Sequence, residues 1–210
     1  MLTKVVEIGA GGTGTRSVAQ AMAWLGYSSR HGLRKLSLQD KKNYAACILR
    51  GSCKLGLYNK HEFVGNISLL HWRILLEEEP EMKFILSNRD IDDWIASAKR
   101  PSNSLPRHRR VRKWLSDGTI PFDLVSTFGP LMLFGTYVFH EKMWRDGFAR
   151  YYKQVRETIP PDRLFEVNVF EGDSIMDLGK WLDSPNCPPS DIKYPKKKIS
   201  GAMSSKNRPW

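Results

Sequence analysis

The sequence predicts an α/β domain in three layers, α/β/α, around a mainly parallel central sheet of about five strands. Two observations predict it. Short apolar runs at Val5–Ile8, Leu33–Gln39 and Phe84–Leu86 alternate with longer segments of helical periodicity. The first run also breaks into a glycine and hydroxyl stretch, KVVEIGAGGTGTRS over residues 4–17, that leads directly into a helix.

Within that stretch Val5, Val6 and Ile8 have the character of a buried parallel strand. Gly9, Gly11, Gly12 and Gly14 permit tight turns, and Thr13 and Thr15 offer N-cap hydroxyls to the following helix. The first amides of a helix have no partner inside it, and the macrodipole adds positive potential there, so the junction suits a phosphate. Two patterns overlap on these residues. Gly9, Gly11 and Gly14 spell the dinucleotide motif G-x-G-x-x-G, which requires a ribose-binding acid about 20 positions on. Asp40, at the end of Leu33–Gln39, is the candidate and stands a little late. Gly9 and Gly14 also have the spacing of G-x-x-x-x-G-K-[ST], but Thr15 stands where the lysine belongs, which disfavours an ordinary NTPase. The loop by itself leaves a dinucleotide site and another kind of phosphate site both open.

Leu69–Glu78 has a helical pattern in which His71, beside Trp72, is expected to be structural. The Phe84–Leu86 strand ends at Asn88, Arg89 and Asp90, and a helix follows from about Ile91 to Lys99. Asp90 suits its N-cap and Asp92 and Asp93 its first turn. Arg89 then lies at the carboxyl end of a strand, the edge where parallel sheets bind ligands, and Ser97 faces back to it two turns later. Phe122–Tyr137 is apolar and predicts core, interface or an acceptor pocket, while Trp144, Phe148 and Tyr152 recur at helical spacing and predict packing.

The chain of 210 residues carries 33 Lys and Arg against 22 Asp and Glu, a formal charge of +11, so an anionic partner is expected and nucleic acid stays open. The densest basic segment is Lys99–Lys113. Cys47, Cys53 and Cys187 have no C-x-x-C spacing, which predicts reduced thiols. No apolar run is as long as a membrane span, and the first strand begins too early for a signal peptide, so a cytoplasmic protein is expected. One domain over residues 1–192 and a basic tail over 193–210, with Lys196, Lys197 and Lys198, complete the organisation.

These residues carry a family resemblance. The chain resembles sulfotransferases that use 3′-phosphoadenosine 5′-phosphosulfate and release 3′,5′-adenosine bisphosphate, with a P-loop nucleotide-hydrolase-like fold. The stretch Gly11, Gly12, Thr13, Gly14, Thr15, Arg16 and Ser17 is similar to the family's 5′-phosphosulfate loop. Arg89 and Ser97, in R-D-x-x-x-W-x-x-S, resemble its 3′-phosphate element. Tyr151–Leu182 resembles its late helix, a strand at Arg163–Val169, an acid-glycine-acid turn at Glu171–Asp173 and a closing helix. The resemblance implies sulfonyl transfer to a hydroxyl or amine acceptor, with a His or acidic general base, for which His31, His61 and Glu62 are the candidates. His31 falls in a segment similar to the family's turn out of the first helix. The chain departs from the pattern at Gly12, where the family usually has Lys or Arg, and Arg16 is the candidate replacement for that catalytic cation. Against this stand a dinucleotide-dependent enzyme and a nucleotide- or nucleic-acid-binding module of weak or absent catalysis.

Overall fold

A computed structural model of the chain describes residues 3–32, 39, 43–44, 56–99, 124–136 and 138–195. Five strands form one sheet: β1 Val5–Glu7, β2 Ser29–His31, β3 Phe63–Gly65, β4 Lys83–Ser87 and β5 Leu164–Val167. Their order is β2-β3-β1-β4-β5, and all four pairings are parallel. The helices are α1 Thr15–Trp24, α2 Gly56–Lys60, α3 Trp72–Glu78, α4 Ile91–Ala98, α5 Leu124–Phe134, α6 Glu141–Thr158 and α7 Ile175–Trp181. The expected three-layer α/β/α fold with a five-stranded sheet is what forms.

Strand alternation divides the core in two. Val5, Phe63, Ile85 and Val167 face one side and pack with Val18 and Met22 of α1 and Ile175 and Leu178 of α7. Val6, Ile8, Val64, Phe84 and Leu86 face the other, against Leu75 of α3, Trp94 of α4 and Trp144, Phe148 and Val155 of α6. Each such side chain, fully buried, contributes about 1.5–3 kcal/mol. Trp144, Phe148 and Tyr152 do pack as their spacing predicts, Phe148 stacking on Tyr152 with centroids 4.1 Å apart. In α5 Phe134 is core, packed on Trp94 and Trp144, whereas Leu131 and Met132 are exposed. His71 is structural as expected: it is buried at the start of α3, its Nε2 lies 2.6 Å from the Tyr58 hydroxyl, and burial pushes its pKa down to about 3.

Several expectations are corrected or fall elsewhere. Ser29–His31 is read from sequence as a turn but forms β2, because pairing with β3 (Ser29 opposite Phe63) outweighs its polar composition at the sheet's edge. The apolar run Leu33–Gln39, apart from Gln39 itself, lies outside the described residues, as do Asp40, Cys47, Cys53, Arg100–Lys113 and Lys196–Lys198. The strand expected at Arg163–Val169 is shorter, Leu164–Val167. Lys193 and Tyr194, assigned by sequence to the tail, are docked on the domain: Lys193 bridges to Ser174 and Tyr194 is buried. Among the described residues no helix is long and apolar enough to cross a membrane.

Candidate functional site

Parallel strands bring their carboxyl ends to one edge, and the β1–α1 loop lies there beside the ends of β2, β3, β4 and β5. Gly12 (φ +98°) and Gly14 (φ +96°) take the left-handed backbone that makes the loop. A Cβ on Gly14 would also stand 2.9 Å from Val169. Gly14, not a threonine, is the N-cap of α1, and no side chain caps that helix. The expected N-cap role of Thr13 and Thr15 is therefore corrected, because each hydroxyl has a nearer partner. Thr13 is fully buried, with Oγ1 2.7 Å from both the Ala10 carbonyl and Ser87 Oγ. Thr15 Oγ1 lies 2.9 Å from His31 Nε2. The Thr15 and Arg16 amides occupy the first two helical positions, where no i−4 carbonyl serves them, an arrangement of the kind that suits an anion.

His31 ends β2 and is thereby placed against Thr15 and near Arg16. Burial, reinforced by the Arg16 charge, pushes its pKa down to about 4, so its imidazole is neutral at physiological pH. Arg16 is exposed in the first turn of α1. Ser17 turns away, donating its hydroxyl to the Pro195 carbonyl.

The second element arrives from β4. Asp90 caps α4 as expected, accepting from the Asp92 and Asp93 amides at 2.9 and 3.0 Å. This fixes Arg89, whose guanidinium lies 4.3 Å from the Phe170 ring centroid, with Nη2 3.9 Å from Asp93 Oδ2. Its Nη1 donates to the Gly12 carbonyl at 3.4 Å, so the two phosphate elements predicted separately meet. Ser97 is half-buried on the second turn of α4. Beside Arg89 an open cleft of about 290 Å³ is lined by Asn88, Asp90, Val167, Asn168 and Asp173 among others. Two of the acids around it are engaged locally: Asp173 accepts from the Asn168 amide at 2.6 Å and Glu166 from Arg156 at 2.7 and 2.8 Å.

His61 and Glu62 are not brought to this edge. They precede β3 and so lie at the amino ends of the strands, where the Glu62 carbonyl accepts from the Val5 amide at 2.8 Å and its carboxylate from the Ser28 amide. Of the three general-base candidates, only His31 stands at the loop.

A family model described as a sulfotransferase domain matches residues 4–203. The chain belongs to the sulfotransferase domain family. No curated protein matches it. Membership makes sulfonyl transfer the general chemistry of this chain.

In this sulfotransferase the loop rests on Trp94, Tyr151 and Tyr152, which the sequence places only in a motif or in packing, and on Glu7, which sequence reasoning passes over. Trp94 Nε1 donates to the Gly11 carbonyl at 3.0 Å, joining α4 to the loop. From α6, Tyr152 accepts from the Ala10 amide at 3.1 Å and donates to the Ser87 carbonyl, and Tyr151 donates to the Ile8 carbonyl. Beneath the loop lies Glu7, fully buried. Its Oε1 accepts from the Gly9 amide and Ser87 Oγ, both at 2.7 Å, and its Oε2 from the Asn66 amide at 2.9 Å. A Cβ on Gly9 would stand 2.1 Å from Ser87 Oγ and 2.7 Å from Glu7 Oε1, so glycine is required there by space. The signal for Glu7 is in the sequence: a carboxylate interrupts the apolar strand VVEI.

Proposed function

We propose that this chain transfers the sulfonyl group of 3′-phosphoadenosine 5′-phosphosulfate to a hydroxyl or amine acceptor. The observation that carries the reading is the meeting of the glycine loop and Arg89, the hydrogen bond from Arg89 to the Gly12 carbonyl joining an amide-rich anion surface to a guanidinium. The residues suit a nucleotide with phosphate at both ends. The Thr15 and Arg16 amides and the Thr15 hydroxyl receive the 5′-phosphosulfate, and Arg89 with Ser97 receives the 3′-phosphate. As substrate, the sulfonucleotide supplies an activated sulfonyl group whose bond to the phosphate oxygen breaks as a bond to the acceptor forms.

Two roles remain for side chains. His31, neutral and within reach of Thr15, takes the acceptor's proton as general base. Arg16 offsets the negative charge that develops on the leaving phosphate oxygen. Gly12 has no side chain for that task, and its φ of +98° makes any replacement strained.

Thermal-shift titration with 3′,5′-adenosine bisphosphate, NAD and NADP tests the donor. Selective stabilisation by the bisphosphate is expected, and stabilisation by NAD alone refutes the reading. Replacing Arg16 with Ala should leave bisphosphate binding measurable while depressing transfer, and unchanged transfer removes Arg16 from the mechanism.

A further inference from the structure

The hydroxyl groups under the loop pose a question of proton count. Thr13 and Ser87 have one hydroxyl proton each. Three contacts of 2.7 Å need protons: Ser87 Oγ to Glu7 Oε1, Thr13 Oγ1 to Ser87 Oγ, and Thr13 Oγ1 to the Ala10 carbonyl. With Glu7 ionised, only two protons are available for the three. Thr13 then serves either Ser87 or Ala10. With Glu7 neutral the count closes. The carboxyl proton goes to Ser87 Oγ, the Ser87 proton to Thr13 Oγ1, and the Thr13 proton to the Ala10 carbonyl, in one direction along the chain.

We propose that Glu7 is the positioning residue of the anion loop, and that its proton, relayed through Ser87 and Thr13 to the Ala10 carbonyl, sets the loop's affinity for the anionic nucleotide. The nucleotide part rests on the reading under Proposed function. Burial pushes the Glu7 carboxyl up to about 7 against hydrogen bonds that lower it, so both states are populated near neutral pH. The neutral state favours the ligand, because an ionised carboxylate beneath the loop repels a phosphate. The titratable groups facing Glu7 are Tyr151 and Tyr152 of α6, both held protonated by burial. From β4 it meets Ser87, and past the end of β3 the Asn66 backbone. Among the described residues no cation is ion-paired with it.

The test uses the full chain, labelled with ¹⁵N and titrated from about pH 5.5 to about pH 8.5 without ligand. The Gly9, Asn66 and Thr13 amides are expected to shift with one common midpoint, and the shift is expected to vanish in Glu7→Gln. In Ser87→Ala, which keeps the carboxylate and cuts the relay, Gly9 should still titrate and Thr13 should not. Titrations with 3′,5′-adenosine bisphosphate over the same range should show wild-type binding tightening by about fivefold or more toward low pH relative to Glu7→Gln. Comparison with the variant cancels the nucleotide's own phosphate titration. Amides that move with unrelated midpoints, a shift that persists in Glu7→Gln, or equal pH dependence of the two affinities overturns the proposal. A wild type that binds no bisphosphate at any pH refutes the affinity half of the proposal together with the nucleotide reading. The joint amide titration separates this from failure of the relay, which would show the bisphosphate bound while Thr13 stays still.

Discussion

Replacing Glu7 with Gln should change the shape of the protein's stability curve against pH. The Glu7 carboxyl is raised by burial from an ordinary 4.5 to about 7 in the folded chain. Between those values the folded state binds more protons than the unfolded state, so unfolding free energy falls as pH rises. The favourable contribution is fully present below about pH 4.5 and is lost as pH climbs through about 7. A difference of this size corresponds to ~3 kcal/mol across the window, at about 1.4 kcal/mol per unit. Glutamine removes the titration but brings a cost of its own. Glu7 faces two backbone donors, the Gly9 amide at Oε1 and the Asn66 amide at Oε2, and a carboxamide must turn its NH₂ toward one of them. That mismatch costs about 1–3 kcal/mol at every pH. The variant should therefore be clearly weaker than wild type at low pH and close to it, or stronger, above neutrality. Urea unfolding at closely spaced pH values reads both curves, with the slope m checked for constancy. If the two curves run parallel from about pH 4.5 to about pH 7.5, Glu7 does not change protonation there and the reasoning fails.

Three further outcomes follow from the same edge. Arg89→Ala should weaken 3′,5′-adenosine bisphosphate by about tenfold or more by calorimetry, the scale of a lost charge-assisted contact, with little change in Tm. His31→Asn should abolish transfer while leaving bisphosphate binding intact, and at saturating donor the wild-type rate should fall on the acid side near pH 4 rather than at the usual histidine value. Gly12→Arg, which restores the side chain type of the family pattern, should lower stability by about 1–2 kcal/mol in chemical unfolding because φ there is +98°; an unchanged stability would mean that the loop relaxes around it.

The parts of the fold legible in the sequence are those in which local signals agree with tertiary packing. Val5, Val6, Ile8 and Phe84–Leu86 are apolar because both sheet faces are covered, and Asp90 with Asp92 and Asp93 announces α4. Ser29–His31 has no such signal, since an edge strand is fixed by its neighbour's backbone rather than by its own side chains. The same distinction runs through the site. Arg89 and the glycines are visible because chain order alone places them. Thr13 is in the right loop but points inward, since its hydroxyl meets Ser87 from a strand 74 residues away. His31 separates from His61 and Glu62 only when strand direction shows which end of each strand a residue occupies. Glu7 is overlooked for a different reason: its three hydrogen-bond partners come from three separate segments.

The β1–α1 loop is held from α4 by Trp94, from α6 by Tyr151 and Tyr152 and from β4 by Ser87. Loops that receive ligands are commonly the least stable parts of a protein, opening locally many times for each global unfolding. A loop fastened to three packed elements should open only with them, so its backbone is already ordered when the ligand arrives. Binding of the proposed nucleotide should then lose little conformational entropy, with selectivity resting on the fit of a fixed shape and not on a segment that folds around its ligand.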